Sequence, residues 1–231
     1  MNNKTKKEVT AFVSTEVPVN PVEIKPTDSN TNDYIPFGTD NLYPQALASL
    51  YRKSISLRGV LDSKTIYTVA GGFQLDESNT KGNEFIENVN SKGQSLTEVF
   101  EDVSTDKNFS GNGYLEIVID NGQKEIMFNH IQSVKCRVSK NKESVLIHPN
   151  WAKYTNNKKL TKTVALYPQF SEDGNVKRSI WHMKDYEPDF DNYGVPKYIA
   201  AMDAAAIGYK TNKWNVSRLD NSFQSSGVLL V

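Results

Sequence analysis

The sequence predicts an α+β protein in which helices precede an antiparallel sheet and one long helix follows. From Leu42 to about Val103 the apolar residues recur at helical spacing, and after Gly111 the period of the pattern changes to two, which is typical of strands. Beyond Pro196 a stretch rich in alanine and free of proline indicates a single long helix. At 231 residues the chain can bury a substantial core.

The first two helices are predicted from turn and cap residues. Pro44 suits the first turn of a helix that begins after Asp40 or Asn41. Ser54 or Ser56 can cap a second helix, because a serine side chain accepts a hydrogen bond from the first free backbone N–H groups. The apolar face expected for this second helix consists of Leu57, Val60, Leu61 and Val69.

Two further helices are expected before the sheet. A short one is predicted over 83–89 from the spacing of Phe85, Ile86 and Val89. The next is the best signalled, because Ser95 and Glu98 form a capping box ahead of an apolar run.

Six strands are predicted after Gly111 from alternation and turn residues. Asn121-Gly122 is a strong hairpin turn between the first two of them. The predicted strands cover 114–120, 125–128, 133–138, 144–147, 163–167 and 176–183.

The long helix is predicted over 197–221, after the turn Tyr193-Gly194-Val195-Pro196. Gly194 is expected to take a positive φ, and Pro196 to occupy the first helical position. Twenty-five residues would form a rod of roughly 37 Å. Such a rod is longer than a compact domain of this size needs.

This helix is apolar on two sides and polar on a third. At about 100° per residue, one stripe holds Tyr198, Met202, Ala205, Ala206, Tyr209 and Val216. Ile207 and Trp214 point well away from that stripe, so two sides require a partner. The side opposite the stripe holds the polar residues Lys197, Thr211, Asn215 and Arg218, with Asp203 and Lys210 on a flank. On the pattern alone, the central helix of an ordinary domain is the favoured interpretation.

Several short segments, taken in order, resemble the portal proteins of tailed bacteriophages and prophages, the head-tail connectors of the virion. The segments are Phe37-Gly38-Thr39-Asp40-Asn41-Leu42-Tyr43-Pro44, Gly71-Gly72-Phe73, Gly111-Asn112-Gly113-Tyr114-Leu115-Glu116-Ile117, Ile180-Trp181-His182-Met183, Tyr193-Gly194-Val195-Pro196, Asn221-Ser222-Phe223 and Gly227-Val228-Leu229-Leu230-Val231. The resemblance extends over roughly 34–231 and depends mostly on the order of the segments.

The resemblance implies a division of the chain into four parts. Residues 1–33, broken by Pro18, Pro21 and Pro26, are expected to be a disordered tail, and 34–192 a wing-like α+β domain. Residues 193–221 would be the turn and first stem helix, and 222–231 the start of a clip-like strand. Portal proteins of this kind continue through a second stem helix and a crown, so these residues would be the N-terminal part of a longer chain.

The resemblance also implies a function in capsid assembly without enzyme activity. The chain would contribute to a homo-oligomeric ring, usually of twelve subunits, through which double-stranded DNA is packaged and ejected at one capsid vertex. Its partners would be the terminase large subunit, the major capsid protein and the head-tail adaptor, in the virion and, during assembly, in the host cytoplasm. Subunit or stem packing would involve Tyr198, Met202, Tyr209, Val216, Ile207 and Trp214. The channel-facing or DNA-proximal residues would be Lys197, Lys210, Asn215 and Arg218.

Composition sets limits that agree with this interpretation. The 27 basic and 27 acidic residues give a net charge of zero, which disfavours a dedicated nucleic-acid wrapper. Cys136 has no partner for an internal disulfide and suits a reducing cytoplasm. Without an apolar run of about 18 residues or an apolar signal region, a soluble, unexported protein is expected.

Two alternatives remain open on the sequence. The first is a module that binds nucleic acid or a partner through the basic segment 153–162, where lysines are mixed with Trp151 and Tyr154. The second is a hydrolase with a metal in the acidic loop 185–191. We favour a solvated loop there, because Pro188 interrupts it and Pro196 stands where a calcium loop has its bidentate Glu. The three widely spaced histidines predict no zinc site, and no motif indicates a cofactor or a catalytic residue.

Overall fold

The computed structural model describes residues 33–120, 125–154, 164–171 and 177–220. Within these residues the predicted α+β class is confirmed by five α-helices and two three-stranded antiparallel sheets. The helices are α1 Tyr43–Lys53, α2 Ile55–Val69, α3 Thr80–Glu87, α4 Leu96–Ser110 and α5 Met202–Asp220. The strands are β1 Asn112–Asp120, β2 Glu125–Ile131, β3 Cys136–Val138, β4 Ser144–Ile147, β5 Ala165–Pro168 and β6 Arg178–Lys184.

The predicted caps account for two of the helix starts. Ser54 accepts a hydrogen bond from the Leu57 N–H at the start of α2. Ser95 and Glu98 form both halves of the capping box of α4. The helix predicted over 83–89 begins earlier, at Thr80, because the Asn79 side chain caps it by accepting from the Gly82 N–H at 3.0 Å.

One predicted core position on α2 is wrong. Leu57 and Leu61 are buried as expected, but Val60 is 66% exposed. Val60 lies about 100° from Leu61 around the helix, and it falls outside the narrower stripe of Leu57, Leu61 and Thr65 that is buried. The side of α2 that carries Val60 faces away from the core.

The two sheets enclose one part of the core, and α4 covers another. The first sheet has the order β2-β1-β6 and the second the order β3-β4-β5. Tyr114 of β1 and Ile180 of β6 are buried together with Cys136 and Val145 of the second sheet. On the opposite face of β1, Leu115 and Ile117 pack with Val99 and Val103 of α4; this alternation along β1 is the period of two seen in the sequence.

The predicted strand 133–138 is only half a strand. Ser133–Lys135 form a 3-10 turn, and β3 begins at Cys136. The Ser133 N–H donates to the Asp106 carboxylate of α4 at 2.6 Å instead of joining a strand ladder. Asp106 therefore shortens the strand.

The long helix begins later than predicted. Pro196 is not its first residue; a 3-10 turn, Ile199–Ala201, comes between them, with the Ile199 N–H donating to the Pro196 carbonyl at 3.0 Å. The α-helix runs from Met202 to Asp220 and is about 28 Å long. None of the described helices combines the length and apolar character needed to cross a membrane.

Only the first turns of α5 pack on the rest of the protein. Met202 is 1% exposed, within a core that includes Leu47, Leu57 and Phe109. Tyr198, before the helix, and Ala205 and Ala206, in its first turns, border the same core. From Thr211 to Asp220 every residue is exposed. The second half of α5 thus projects from the α+β body.

Several predictions fall outside the described residues. They are the tail over 1–32, the hairpin turn Asn121-Gly122, most of the basic segment and the clip-like strand over 222–231.

Candidate functional site

Four of the segments that carry the resemblance meet at the base of α5. They are the junction between α4 and β1, the β6 strand, the turn at 193–196 and residues 37–41; these lie in separate parts of the sequence but contact one another in the structure. Their order is visible along the sequence, but this contact is not. We refer to this cluster as the helix base.

Asn112 holds the turn to the sheet. Its side-chain amide donates to the Gly194 carbonyl at 2.8 Å, and its Oδ1 accepts from the Gly194 N–H at 2.7 Å. The same amide donates to the Ser110 carbonyl at 2.9 Å. Asn112 is 2% exposed, so these bonds replace water that a buried polar backbone would otherwise need.

His182 completes this arrangement. Its Nε2 lies 2.9 Å from Asn112 Oδ1, and since that oxygen is an acceptor, Nε2 carries the proton and donates. The ring stacks on Tyr114 with 4.3 Å between centroids. Burial, and next the nearby charge of Lys184, lower the pKa of His182 to about 3. The imidazole is neutral at physiological pH.

Gly194 is required for a reason other than the predicted one. It is not among the glycines with positive φ in the described part of the chain. Instead, a Cβ at this position would lie 2.6 Å from the Asp185 backbone nitrogen and closer still to the Gly111 carbonyl oxygen. The turn needs glycine because two backbone segments approach it closely.

Gly111 faces Gly194 across this contact. It has a φ of 75° and ends α4 in the left-handed conformation, which glycine adopts without steric cost. Its carbonyl accepts from the Asp185 N–H at 2.8 Å. Two glycines thus allow the start of the sheet and the entry to α5 to touch.

Tyr193 connects the turn to the N-terminal segment. Its hydroxyl donates to the Ile35 carbonyl at 2.5 Å and accepts from the Val138 N–H at 2.9 Å. The ring stacks on Phe37 with 4.3 Å between centroids. Val195 and Tyr193 are both almost fully buried, so the turn is part of the core.

Sequence reasoning missed Arg137, which is fully buried beside this cluster. Its Nε donates to Asn41 Oδ1 at 2.6 Å, and its Nη2 donates to the Asn41 carbonyl at 2.6 Å. The guanidinium also lies 5.0 Å from the centroid of the Trp151 ring. Burial lowers its pKa, since desolvation disfavours the charged form. The available signal was an arginine between two apolar residues of a short strand.

Asn41 reaches Arg137 because it adopts a left-handed conformation with a φ of 61°. The Asn41 Oδ1 also accepts from the Phe37 N–H at 3.1 Å. The Asp40-Asn41 pair therefore organises the turn before α1, while Asp40 accepts from the Leu42 N–H at 2.9 Å.

The predicted packing residues of α5 divide into two groups. Tyr198 and Met202 belong to the core of this chain, and the Tyr198 hydroxyl donates to the Phe109 carbonyl at 2.7 Å. At these two positions the stripe packs on the body of this chain itself. Tyr209 is half-buried beneath Lys53, whereas Ile207, Trp214 and Val216 are exposed.

The predicted DNA-proximal residues lie along the outside of the helix. Lys197 is at its base, where Nζ donates to the Tyr186 carbonyl at 2.7 Å. Lys210 and Asn215 are exposed. Arg218 is exposed as well and lies over the Trp214 ring, 4.4 Å from its centroid.

The basic segment does not present an aromatic platform at Trp151. That side chain is 3% exposed, packs against Tyr34 and Tyr154, and donates from Nε1 to the Lys135 carbonyl at 2.8 Å. A base cannot stack on a ring that is already enclosed. Lys153 is exposed, and the other lysines of the segment lie outside the described residues.

The acidic loop has a structural role at one position. The Asp185 carboxylate pairs with Lys107 of α4. Among the described residues, no group of three or more histidine, cysteine or acidic side chains is placed to hold a metal ion.

Comparison with known proteins gives similarities in structure alone. No family model matches the sequence, and no curated protein matches it. A chain from the neck of an empty gene transfer agent (GTA) particle, computed with C6 symmetry, aligns with a TM-score of 0.58 and 19% identity, over 82% of this chain and 50% of that one. A chain from the neck of the native particle, computed with C12 symmetry, aligns with a TM-score of 0.57 and 21% identity, over 81% and 51%.

A third similar chain comes from the virion of the native gene transfer agent particle. It has a TM-score of 0.56 and 20% identity, over 80% of this chain and 51% of that one. This chain therefore spans about half the length of the chains it matches. At these identities the comparison shows a shared fold alone, one that is also found in gene transfer agent particles.

Proposed function

We propose that this chain is a structural subunit of a portal-like ring at the head-tail junction of a phage or prophage particle. The α+β body is the wing of the subunit, and α5 is its first stem helix. The ring is a conduit for double-stranded DNA, and the chain itself carries out no bond chemistry.

The observation that carries the proposal is the way α5 leaves the body. Its entry is fixed by the buried bonds between Asn112 and Gly194, while its second half, from Thr211 to Asp220, is exposed. An exposed helix with Ile207 and Trp214 at 63% and 57% exposure is costly for an isolated domain. In an assembly, neighbouring helices can cover these apolar side chains. The shared fold with chains of symmetric particle necks supports that arrangement.

The charge of α5 suits a helix that faces DNA without holding it. Lys210, Lys213 and Arg218 are opposed on the same helix by Asp203 and Asp220, so the net charge of α5 is only +1. Tight binding to DNA phosphates grows with the number of cationic contacts. A weakly basic helix lets the duplex slide, and we place Lys197 and Asn215 on the same DNA-proximal side.

The partners follow from the position of such a ring. Beyond copies of itself, it would contact the terminase large subunit, the major capsid protein and a head-tail adaptor. The nucleic-acid-binding alternative has less support, because Trp151 is enclosed and cannot stack on a base.

A substitution on the projecting helix tests the proposal. Trp214→Glu should abolish ring assembly, observed by mass photometry and electron microscopy, without lowering the melting temperature, because Trp214 is 57% exposed and is not among the described residues that form the body core. Thr211→Glu, an exposed position on the polar side, is the matched control and should leave assembly unchanged. Equal assembly of the wild type and Trp214→Glu would contradict the proposal.

A further inference from the structure

The outward face of α2 leaves four large apolar side chains of the α+β body exposed. Ile55, Val60, Ile66 and Tyr67 are 78%, 66%, 58% and 85% exposed. Ile55, Val60 and Tyr67 line a shallow groove of about 820 Å³ together with small residues that include Gly59 and Ser63. The buried side of α2, with Leu57 and Leu61, is on the opposite side of the helix.

This face is well shaped to receive another polypeptide. A Cβ on Gly59 would meet nothing within 4 Å among the described residues, so none of them requires a glycine there. Small residues between larger apolar ones let a second surface approach a helix backbone closely. Apolar patches of this kind on a protein surface mark interaction sites.

Charge favours a partner with an acidic surface. Arg58 and Lys64 flank the outward face of α2, and Arg52 and Lys53 lie at the corner that leads into it, all four exposed. Asp62 is the only acidic residue of α1 and α2, which gives this pair of helices a net charge of +3. Opposite charges around an apolar centre fix the orientation of a partner and exclude wrong ones.

The chain itself carries a surface with the complementary character. Residues 73–102, which contain α3 and the start of α4, hold seven carboxylates and two lysines, all exposed, for a net charge of −5. Phe73 and Leu75, at the beginning of this segment, are 41% and 48% exposed. Residues 73–102 thus combine acidic and apolar side chains, and the outward face of α2 combines basic and apolar ones, so the two are complementary.

We propose that the outward face of α2 binds the acidic surface of residues 73–102 of a second copy of this chain. The two surfaces are different, so each copy can offer one to the copy before it and the other to the copy after it. Head-to-tail contacts of this kind close into rings when the rotation between copies permits. The inference rests on the proposed ring function, and it names the two surfaces through which neighbouring wings of the ring touch.

The neutral net charge of the chain supports self-association. With 27 basic and 27 acidic residues, copies do not repel one another at long range, and the segregation of charge into two surfaces gives a direction to the attraction. Association should therefore weaken as the salt concentration rises, since exposed charges are screened.

Cysteine cross-linking tests the direction of the contact. Ser63→Cys places a thiol on the outward face of α2, and Glu77→Cys places one on the acidic surface; the natural Cys136 is buried and should not react. Under mild oxidation, each variant alone should remain uncross-linked, and an equal mixture of the two should give a covalent dimer. Cross-linking of Ser63→Cys with itself, or no cross-link in the mixture, would overturn the proposal.

Mass photometry then separates this contact from the proposed function. Tyr67→Glu should weaken association by roughly tenfold or more, because it removes a central aromatic and adds a charge that the acidic surface repels. Leu166→Glu, 60% exposed on β5, is the control and should associate as the wild type does.

The outcomes for Tyr67→Glu and Trp214→Glu are distinguishable. If Trp214→Glu abolishes assembly and Tyr67→Glu does not, the α2 contact is wrong and the ring function stands. If neither variant differs from a wild type that stays monomeric across the micromolar range, both are wrong. If Tyr67→Glu leaves the mass unchanged but exposes residues 1–32 to protease, a segment of the same chain covers α2, which also contradicts the contact between copies.

Discussion

Asn112 and Gly194 exchange two hydrogen bonds across 82 residues of sequence, at 2.8 and 2.7 Å. The asparagine amide matches the donor and acceptor of the glycine backbone as a neighbouring strand would. Because Asn112 opens β1 and Gly194 precedes α5, this pair fixes the entry to the helix relative to the sheet.

Replacing Asn112 should therefore lower the free energy of unfolding more than replacing a partly exposed asparagine. Asn112→Ala leaves the Gly194 N–H and carbonyl buried without partners, and we expect a loss of about 1 to 3 kcal/mol in the free energy of unfolding. Asn129→Ala, which removes a half-buried bond to Glu116, should cost under about 1 kcal/mol. Urea denaturation measures both, and equal costs would contradict the role assigned to Asn112.

Gly194→Ala should destabilise the protein through steric overlap. The added methyl group meets the backbone of Gly111 and Asp185, neither of which can move without shifting the sheet, so a loss of about 1 to 3 kcal/mol is expected. Gly208→Ala is the matched control on α5, where a Cβ meets nothing, and should raise stability by up to about 1 kcal/mol. The two melting temperatures should move in opposite directions. If both rise or both fall, steric overlap at Gly194 is not the reason that the turn needs glycine.

Tyr193→Phe isolates the hydroxyl that joins the turn to the N-terminal segment. It keeps the stacking on Phe37 but leaves the Val138 N–H and the Ile35 carbonyl without this partner, at an expected cost of about 1 to 3 kcal/mol. Tyr186→Phe, at a side chain that is 78% exposed, should change little. Chemical denaturation of the two variants side by side is the measurement.

His182 should make stability depend on pH. Because burial lowers its pKa from 6.5 to about 3, the unfolded chain takes up a proton more readily than the folded protein between these values. The free energy of unfolding should thus fall as the pH drops from 6.5 toward 3, at up to about 1.4 kcal/mol per pH unit. His182→Gln keeps a donor for Asn112 without titrating, so its profile should be flatter; superimposable profiles would contradict this.

The parts of the fold that follow local rules could be predicted from the sequence. The capping box at Ser95 and the alternation along β1 depend on neighbours within a few residues, and both are present. The start of α5 could not be placed, because a hydrogen bond from Tyr198 to Phe109, 89 residues away, helps hold the turn before it.

The helix base was only partly predictable for the same reason. The sequence predicts that the turn needs Gly194 because of its dihedral angle. The structure shows instead a close contact with Gly111, which no local pattern encodes. No motif indicates Arg137, because its partners, Asn41 and Trp151, lie in other segments of the chain. Side chains that join distant segments are visible only once the fold is known.

The position of α5 in an assembly tests the central claim most directly. Asn215→Cys, exposed on the polar side of the helix, can carry a gold label while the buried Cys136 stays unreacted. Electron microscopy of the labelled protein should show closed rings with the gold around the central opening. Gold at the outer edge of the rings, or compact monomers in which α5 lies against its own body, would contradict the account.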